Sequence, residues 1–165
     1  MNEDISMLKE ISDRLIARTN LDFKRYLFSN IDWRNRFICL KMLEVLERAE
    51  LVSLLKTEKD KLKSMSSPEK IYCDNVNLMR ALVPRADVGT MRETFFVNQL
   101  RAAGHTVSSP AKGDFLVDGR WLLEVGGKGK TFKQIKDEPD SFIAYDDVEI
   151  GTGNKIPLWL FGFLY

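Results

Sequence analysis

Apolar and polar positions along the chain alternate with two different periods, and the change of period marks the elements. Apolar residues recur at Ile5, Leu8, Ile11 and Leu15, close to helical spacing, which predicts a first helix capped by Asp4 and ended at Thr19-Asn20. A second short helix is expected over 22–29, with Phe23, Tyr26 and Leu27 on one side. Residues 36–40 (Arg-Phe-Ile-Cys-Leu) read as a short buried strand. The chain then passes without turn chemistry into a strong helix former from Met42, with Leu43, Leu46 and Ala49 or Glu50 on one face. A strand abutting a helix in this way is a local conflict.

Beyond it, 51–55 reads as a strand, 56–63 alternates charges, 64–68 is loop-like and 70–73 reads as the return strand. Helix, strand, charged tip and strand follow the order of the second half of a winged helix. Asp74-Asn75 caps a short helix containing Val76, Leu78, Met79 and Leu82, which Pro84 stops. The last 80 or so residues read as a separate unit. Thr90-Met91-Arg92-Glu93 has the pattern of a capping box opening a helix, with Met91, Phe95, Phe96, Leu100 and Ala103 inward and Gly104 at its end. Strands are expected at 106–108, 114–117, 120–125 and 141–145, a helix at 131–137, and a final apolar helix or docked segment from Lys155. The predicted class is α+β, with an α/β order of helix, hairpin, helix and strand in the second half.

Composition narrows the functions. Of 165 residues, 44% are hydrophobic and 30% charged, enough for a real core, and a net charge of +1 creates no global field for nucleic acid or an anionic membrane. The longest apolar run, 156–165, contains Pro157 and Gly162 and falls well short of the roughly 20 residues of a membrane span. The first residues lack the basic and apolar regions of a secretory signal, so a reduced, cytoplasmic protein without a membrane partner is expected. Cys39 and Cys73 are far apart and His105 is the sole histidine, which excludes a disulfide scaffold and a Cys/His zinc site. A histidine-based nucleophile would have to use His105, at a helix-to-strand turn.

The run Gly126-Gly127-Lys128-Gly129-Lys130-Thr131 imitates the end of a phosphate-binding loop, but the first glycine of that motif would stand at position 124, which is Glu124. A carboxylate there opposes the phosphates that the backbone N–H groups must cradle, so no nucleotide cofactor is expected.

The stretch 114–125 carries the candidate chemistry. Asp118-Gly119 marks a hairpin. A two-residue turn would put Asp114 and Glu124 on opposite faces. A three-residue loop at 117–119, pairing Leu116 with Arg120, gathers Phe115, Val117, Trp121, Leu123 and Val125 on one face and Asp114, Leu116, Arg120, Leu122 and Glu124 on the other. The second register sorts the side chains far better and is the expected one. It sets two carboxylates diagonally on one face, within reach of a shared divalent cation, Mg²⁺ or Mn²⁺, with Lys128 just beyond to support developing charge. The competing reading is a solvated hairpin face with Arg120 paired to either acid, Glu93 serving only as a cap and Lys128 in a loose loop.

The segments Arg92-Glu93-Thr94-Phe95-Phe96, Leu122-Leu123-Glu124-Val125-Gly126-Gly127-Lys128 and Pro157-Leu158-Trp159-Leu160-Phe161-Gly162 resemble, in order and spacing, the last domain of a prokaryotic AAA-type ATPase family. That family joins an ATPase core to a winged helix and a C-terminal domain related to the PD-(D/E)XK nucleases. The resemblance covers roughly 42–165, and residues 1–41 resemble the family's opening, in which 31–41 would lead into the nucleotide-binding loop. Here Lys41 meets Met42 instead, as in a member whose nucleotide-binding core is missing. The implied organisation is a leader at 1–41, half a winged helix at 42–86 and a nuclease-like α/β sandwich at 87–165. The resemblance implies Glu93 as the helix glutamate, Asp114 as the first strand acid and Glu124 as the second. Gly126 stands where the motif has its lysine, and Lys128 follows two residues later. The expected function is a DNA- or protein-binding regulatory module without ATPase activity, with Lys56, Lys59, Lys61 and Lys63 of the wing against phosphates and DNA, a protein or a second copy of the chain as partner. The alternative is a divalent-metal-dependent DNA nuclease using Asp114 and Glu124.

Overall fold

The computed structural model describes residues 36–57, 67–83, 85–127, 129–130 and 135–164. The chain divides into two units, Met1–Cys39 and Leu40–Tyr165. The helices expected at 5–19 and 22–29, and with them most of the leader, lie outside the described residues.

The first described element is a helix, α1 (Arg36–Arg48), so 36–40 is not a strand. With no glycine, proline or Asx residue between Leu40 and Met42, nothing stops the helix from propagating back from its strong formers, and extending a helix costs far less than nucleating one. The conflict between strand and helix is thereby removed. The helix ends with Glu50 in the left-handed region (φ 54), where Leu51 N–H donates to Leu46 O and Glu50 N–H to Glu47 O, both at 3.0 Å.

β1 (Val52–Leu55) and β2 (Lys70–Cys73) form an antiparallel pair with Leu55 opposite Lys70. Asn75 caps α2 (Val76–Leu82) by accepting from Leu78 N–H at 2.9 Å, as the Asp-Asn pair predicted. α3 (Val88–Ala102) starts three residues before the expected box: Asp87 is the cap, its carboxylate accepting from Thr90 N–H at 2.9 Å. Glu93 therefore lies beyond the first turn and is free of any capping role.

A five-stranded mixed sheet follows in the order β3 (Val107–Ser108), β4 (Phe115–Val117), β5 (Trp121–Gly126), β6 (Ser141–Tyr145) and β7 (Lys155–Pro157). β3, β4 and β5 pair antiparallel, while β6 and β7 run parallel to β5. A 3₁₀ helix (Leu158–Phe163) closes the tail. The architecture is α+β. β7 is too short and too proline-marked to read as a strand in the sequence. The helix expected at 131–137 falls mostly outside the described residues, and 135–137 form turns instead, with Glu138 N–H donating to Ile135 O.

Both faces of the sheet are covered. α3 lies on one face, where Phe96 packs against Phe115 and Phe161 with ring centroids 5.2 and 4.8 Å apart. Leu55 and Tyr72 of the β1–β2 pair join this same cluster, together with Val97, Leu100, Val117, Leu123, Val125 and Leu158. On the other face Leu122, Ile135 and Ile143 are buried, and Gly113 packs so closely on Ile135 and Leu122 that a Cβ would stand 3.2 Å from each. The hairpin face that carries the acids is thus not a solvated surface.

Candidate functional site

The β4–β5 hairpin closes through Asp118 and Gly119, both in the left-handed region (φ 52 and 67), with Arg120 N–H donating to Val117 O at 3.0 Å. Pairing resumes at Val117 with Trp121 and Leu116 with Leu122. The three-residue loop is therefore 118–120, one residue later than expected. A shift of one residue on each strand preserves parity, so the predicted sorting of the faces stands. Asp118 holds this register: its carboxylate accepts from Thr106 N–H at 2.9 Å and meets His105 Nδ1 at 2.7 Å. These contacts, the backbone bond first, hold its pKa below the ordinary value. His105 is thereby engaged at the turn, away from the acidic pair.

Pairing ends with Phe115 opposite Leu123, and Asp114 lies one residue beyond that end of β4. Asp114 is tied to the neighbouring strand, its N–H donating to Leu123 O at 3.0 Å and its Oδ2 accepting from Val125 N–H at 2.9 Å. Glu124 has no solvent exposure, and neither of its oxygens has a hydrogen-bond partner among the described residues. Arg120 pairs with neither acid. It binds Asp140 Oδ2 at 2.9 Å and stacks on Trp121.

The lysine that reaches the pair is Lys130. Its Nζ lies 2.9 Å from Asp114 Oδ2 and 3.8 Å from Glu124 Oε2, a hydrogen bond to the first and an ion pair to the second. One ammonium spanning both carboxylates limits the separation of these two oxygens to about 7 Å, and a shared cation with oxygen ligands at about 2.0–2.6 Å would need them within about 5 Å. Lys128, the residue expected from the sequence, lies outside the described residues, as do Lys59, Lys61 and Lys63.

Local structure explains how Lys130 gets there. Past β5 the chain turns back, with Lys130 N–H donating to Gly127 O at 2.9 Å and the Tyr145 hydroxyl donating to Lys130 O. The lysine stem crosses the Cα of Gly126, where a Cβ would stand 2.8 Å from Lys130 Cβ. The missing side chain of Gly126 is what admits a lysine from four residues on. Arg92 braces the turn: it binds Asp146 at 2.7 Å and Asp147 at 3.5 Å, with its guanidinium against Gly127.

Glu93 completes the group from α3. Tyr72 of β2 donates its hydroxyl to Glu93 Oε2 at 2.5 Å. Burial, then the bond to Glu93, pushes the Tyr72 phenol above its ordinary pKa. Burial also raises the pKa of Glu124, with the Asp114 charge adding to it and Lys130 opposing. For Lys130, burial works against the charged form, but the bond to Asp114 and the charges of Asp114, Glu124 and Glu93 outweigh it and raise its pKa. Lys70 adds a further cation beside the site, donating to Asp114 O at 3.1 Å over the Phe115 ring.

The structure thus brings Asp114 and Glu124 together on Lys130, while Glu93 is held by Tyr72. Among the described residues, no three His, Cys, Asp or Glu side chains converge at metal-ligand distance. The acidic pair fits a cation that keeps most of its waters, since Mg²⁺ is characteristically held by one or two carboxylates. Sequence reasoning missed Lys130, Tyr72 and Lys70. The only signal for Lys130 was a lysine shortly after two glycines, and for Tyr72 its place on the inward side of a short strand. Lys56 continues β1, its carbonyl accepting from Ser109 N–H at 3.0 Å. No helix among the described residues is long and apolar enough to cross a membrane. Comparison with family models, with curated proteins and with solved structures finds no match to the chain.

Proposed function

We propose that this site binds Mg²⁺ or Mn²⁺ through Asp114 and Glu124 and hydrolyses phosphodiester bonds, with DNA as the substrate. The observation that carries the reading is Glu124: a carboxylate removed from solvent, its oxygens without hydrogen-bond partners among the described residues, close to Asp114 and paired at 3.8 Å with the Lys130 ammonium. Stability alone does not select such a group, because burying an unsatisfied carboxylate is costly. Lys130, Lys70 and the bound cation supply the positive charge that an anionic substrate requires.

When bound, the cation supplies charge that stabilises the phosphoryl oxygens. Lys130 exchanges its bond to Asp114 for one to a non-bridging phosphate oxygen, where negative charge grows as a water oxygen bonds to phosphorus and the bond to the leaving oxygen breaks. Glu93, held through Oε2, leaves Oε1 to take the proton of the attacking water, and the leaving oxygen takes one from solvent.

The second reading is a DNA- or protein-binding module of the same fold without cleavage. The hydrogen bond of Lys130 to Asp114 favours it, since that bond occupies both the lysine and a candidate ligand. One experiment separates the two. Mn²⁺ is expected to raise the melting temperature of the full chain and to support nicking of supercoiled DNA, and Asp114→Ala to abolish both. A thermal shift without nicking selects the binding module, and no shift removes the metal site.

A further inference from the structure

We infer that Tyr72 is a positioning residue for this site, holding Glu93 as an outer carboxylate that accepts hydrogen bonds from the waters around the cation. The inference rests on the metal reading above. It adds a strand that precedes α3 by two elements to the machinery of the hairpin.

Three observations carry it. The Tyr72 hydroxyl sits 2.5 Å from Glu93 Oε2, a charge-assisted bond of the short kind. The Tyr72 ring is 6% exposed and packs on Phe115, the residue following Asp114, with centroids 5.9 Å apart, so the phenol cannot swing away from the hairpin. Glu93 is free of capping, since Asp87 takes that task, and Lys70, two residues before Tyr72 on β2, donates to Asp114 O at 3.1 Å, which sets this strand against the acidic pair. A carboxylate with no capping task, fixed at one oxygen by a strand that also holds Asp114, is placed to serve the pocket through the other oxygen. A cation held by two carboxylates keeps several waters, and these need acceptors with fixed positions.

The test measures Mn²⁺ affinity by the electron paramagnetic resonance signal of the free ion, on the full chain, for the wild type, Tyr72→Phe, Glu93→Gln, the double variant and Glu124→Gln. Circular dichroism checks each fold. Removing a partner that orients a metal site weakens affinity by about tenfold or more, so Tyr72→Phe and Glu93→Gln are each expected to weaken Mn²⁺ binding by about that factor. The double variant is expected to be no weaker than Glu93→Gln, because Tyr72 acts through Glu93. Glu124→Gln is expected to abolish binding. Wild-type affinity in Tyr72→Phe, or independent multiplying losses in the double variant, overturns the proposal while leaving the metal site intact. Wild-type affinity in Glu124→Gln overturns the metal site and the proposal with it. If Tyr72→Phe does not fold, Glu93→Gln decides alone, since it keeps an acceptor for the phenol and removes only the charge: unchanged affinity there overturns the proposal.

Discussion

A buried carboxylate without a hydrogen-bond donor works against folding at neutral pH, and among the described residues neither oxygen of Glu124 has one. Its folded pKa is raised above the ordinary 4.5 chiefly by burial. As pH rises through that ordinary value the unfolded chain gives up its proton first, so the contribution of Glu124 to stability is fully present below it. That contribution falls until the folded group also ionises, and is level above. Glu124→Gln is therefore expected to raise the melting temperature of the metal-free protein near pH 7, by ~1 kcal/mol or about 4 °C. The advantage of the variant should shrink as pH falls below the ordinary carboxylate value. The same variant should lose the Mn²⁺ response. Thermal melts from pH 4 to 8, with and without Mn²⁺, check both signs. A carboxylate kept only for structure would give the opposite result in the metal-free protein.

At the scale of elements, the hairpin shows what patterning determines and where it stops. The sorting of Phe115, Val117, Trp121, Leu123 and Val125 from Asp114, Leu122 and Glu124 was legible, because only one parity keeps the apolar set together. The loop itself was not, since 117–119 and 118–120 share that parity. The choice is made by Asp118 and its bonds to Thr106 and His105, contacts made outside the hairpin. The strand expected at 36–40 failed for a related reason: apolar composition does not separate a buried strand from a helix, and the missing turn was the better signal. Lys130 was hidden because its approach depends on a reversal of the chain at Gly127 and on bare Cα space at Gly126. Gly126→Ala tests that account. A methyl group there would sit against the lysine stem, so Lys130 should be driven off Asp114. DNA nicking should fall by about tenfold or more, as when a site's supporting group is lost, with melting temperature changed by only a few degrees. Lys130→Met should reproduce the loss, and the two changes combined should cost no more than Lys130→Met alone.

Over the whole molecule, the site depends on a core shared between segments that read separately in the sequence. Leu55 and Tyr72, from β1 and β2, belong to the same buried cluster as Phe96 of α3 and Phe115 of the hairpin. The bridge between Thr57 and Ser109 continues β1 towards β3. The sequence could not display this union, because the pattern of each segment reports which face is buried and not against what. The consequence is that the β1–β2 pair should not unfold ahead of the sheet. Leu55 is fully buried, so Leu55→Ala should cost about 3 kcal/mol through lost burial and the cavity left behind. That cost should appear as one shifted transition, with far-ultraviolet dichroism and tryptophan fluorescence coinciding in urea, since Trp121 and Trp159 report on the sheet and its tail. Mn²⁺ binding should survive in the folded fraction of the variant, because Leu55 meets Lys70 through strand pairing, which the substitution leaves in place. Two separated transitions, the earlier one sensitive to Leu55→Ala and the later one not, would show that β1 and β2 form an independent layer. Tyr72 would then hold Glu93 only while that layer stays docked.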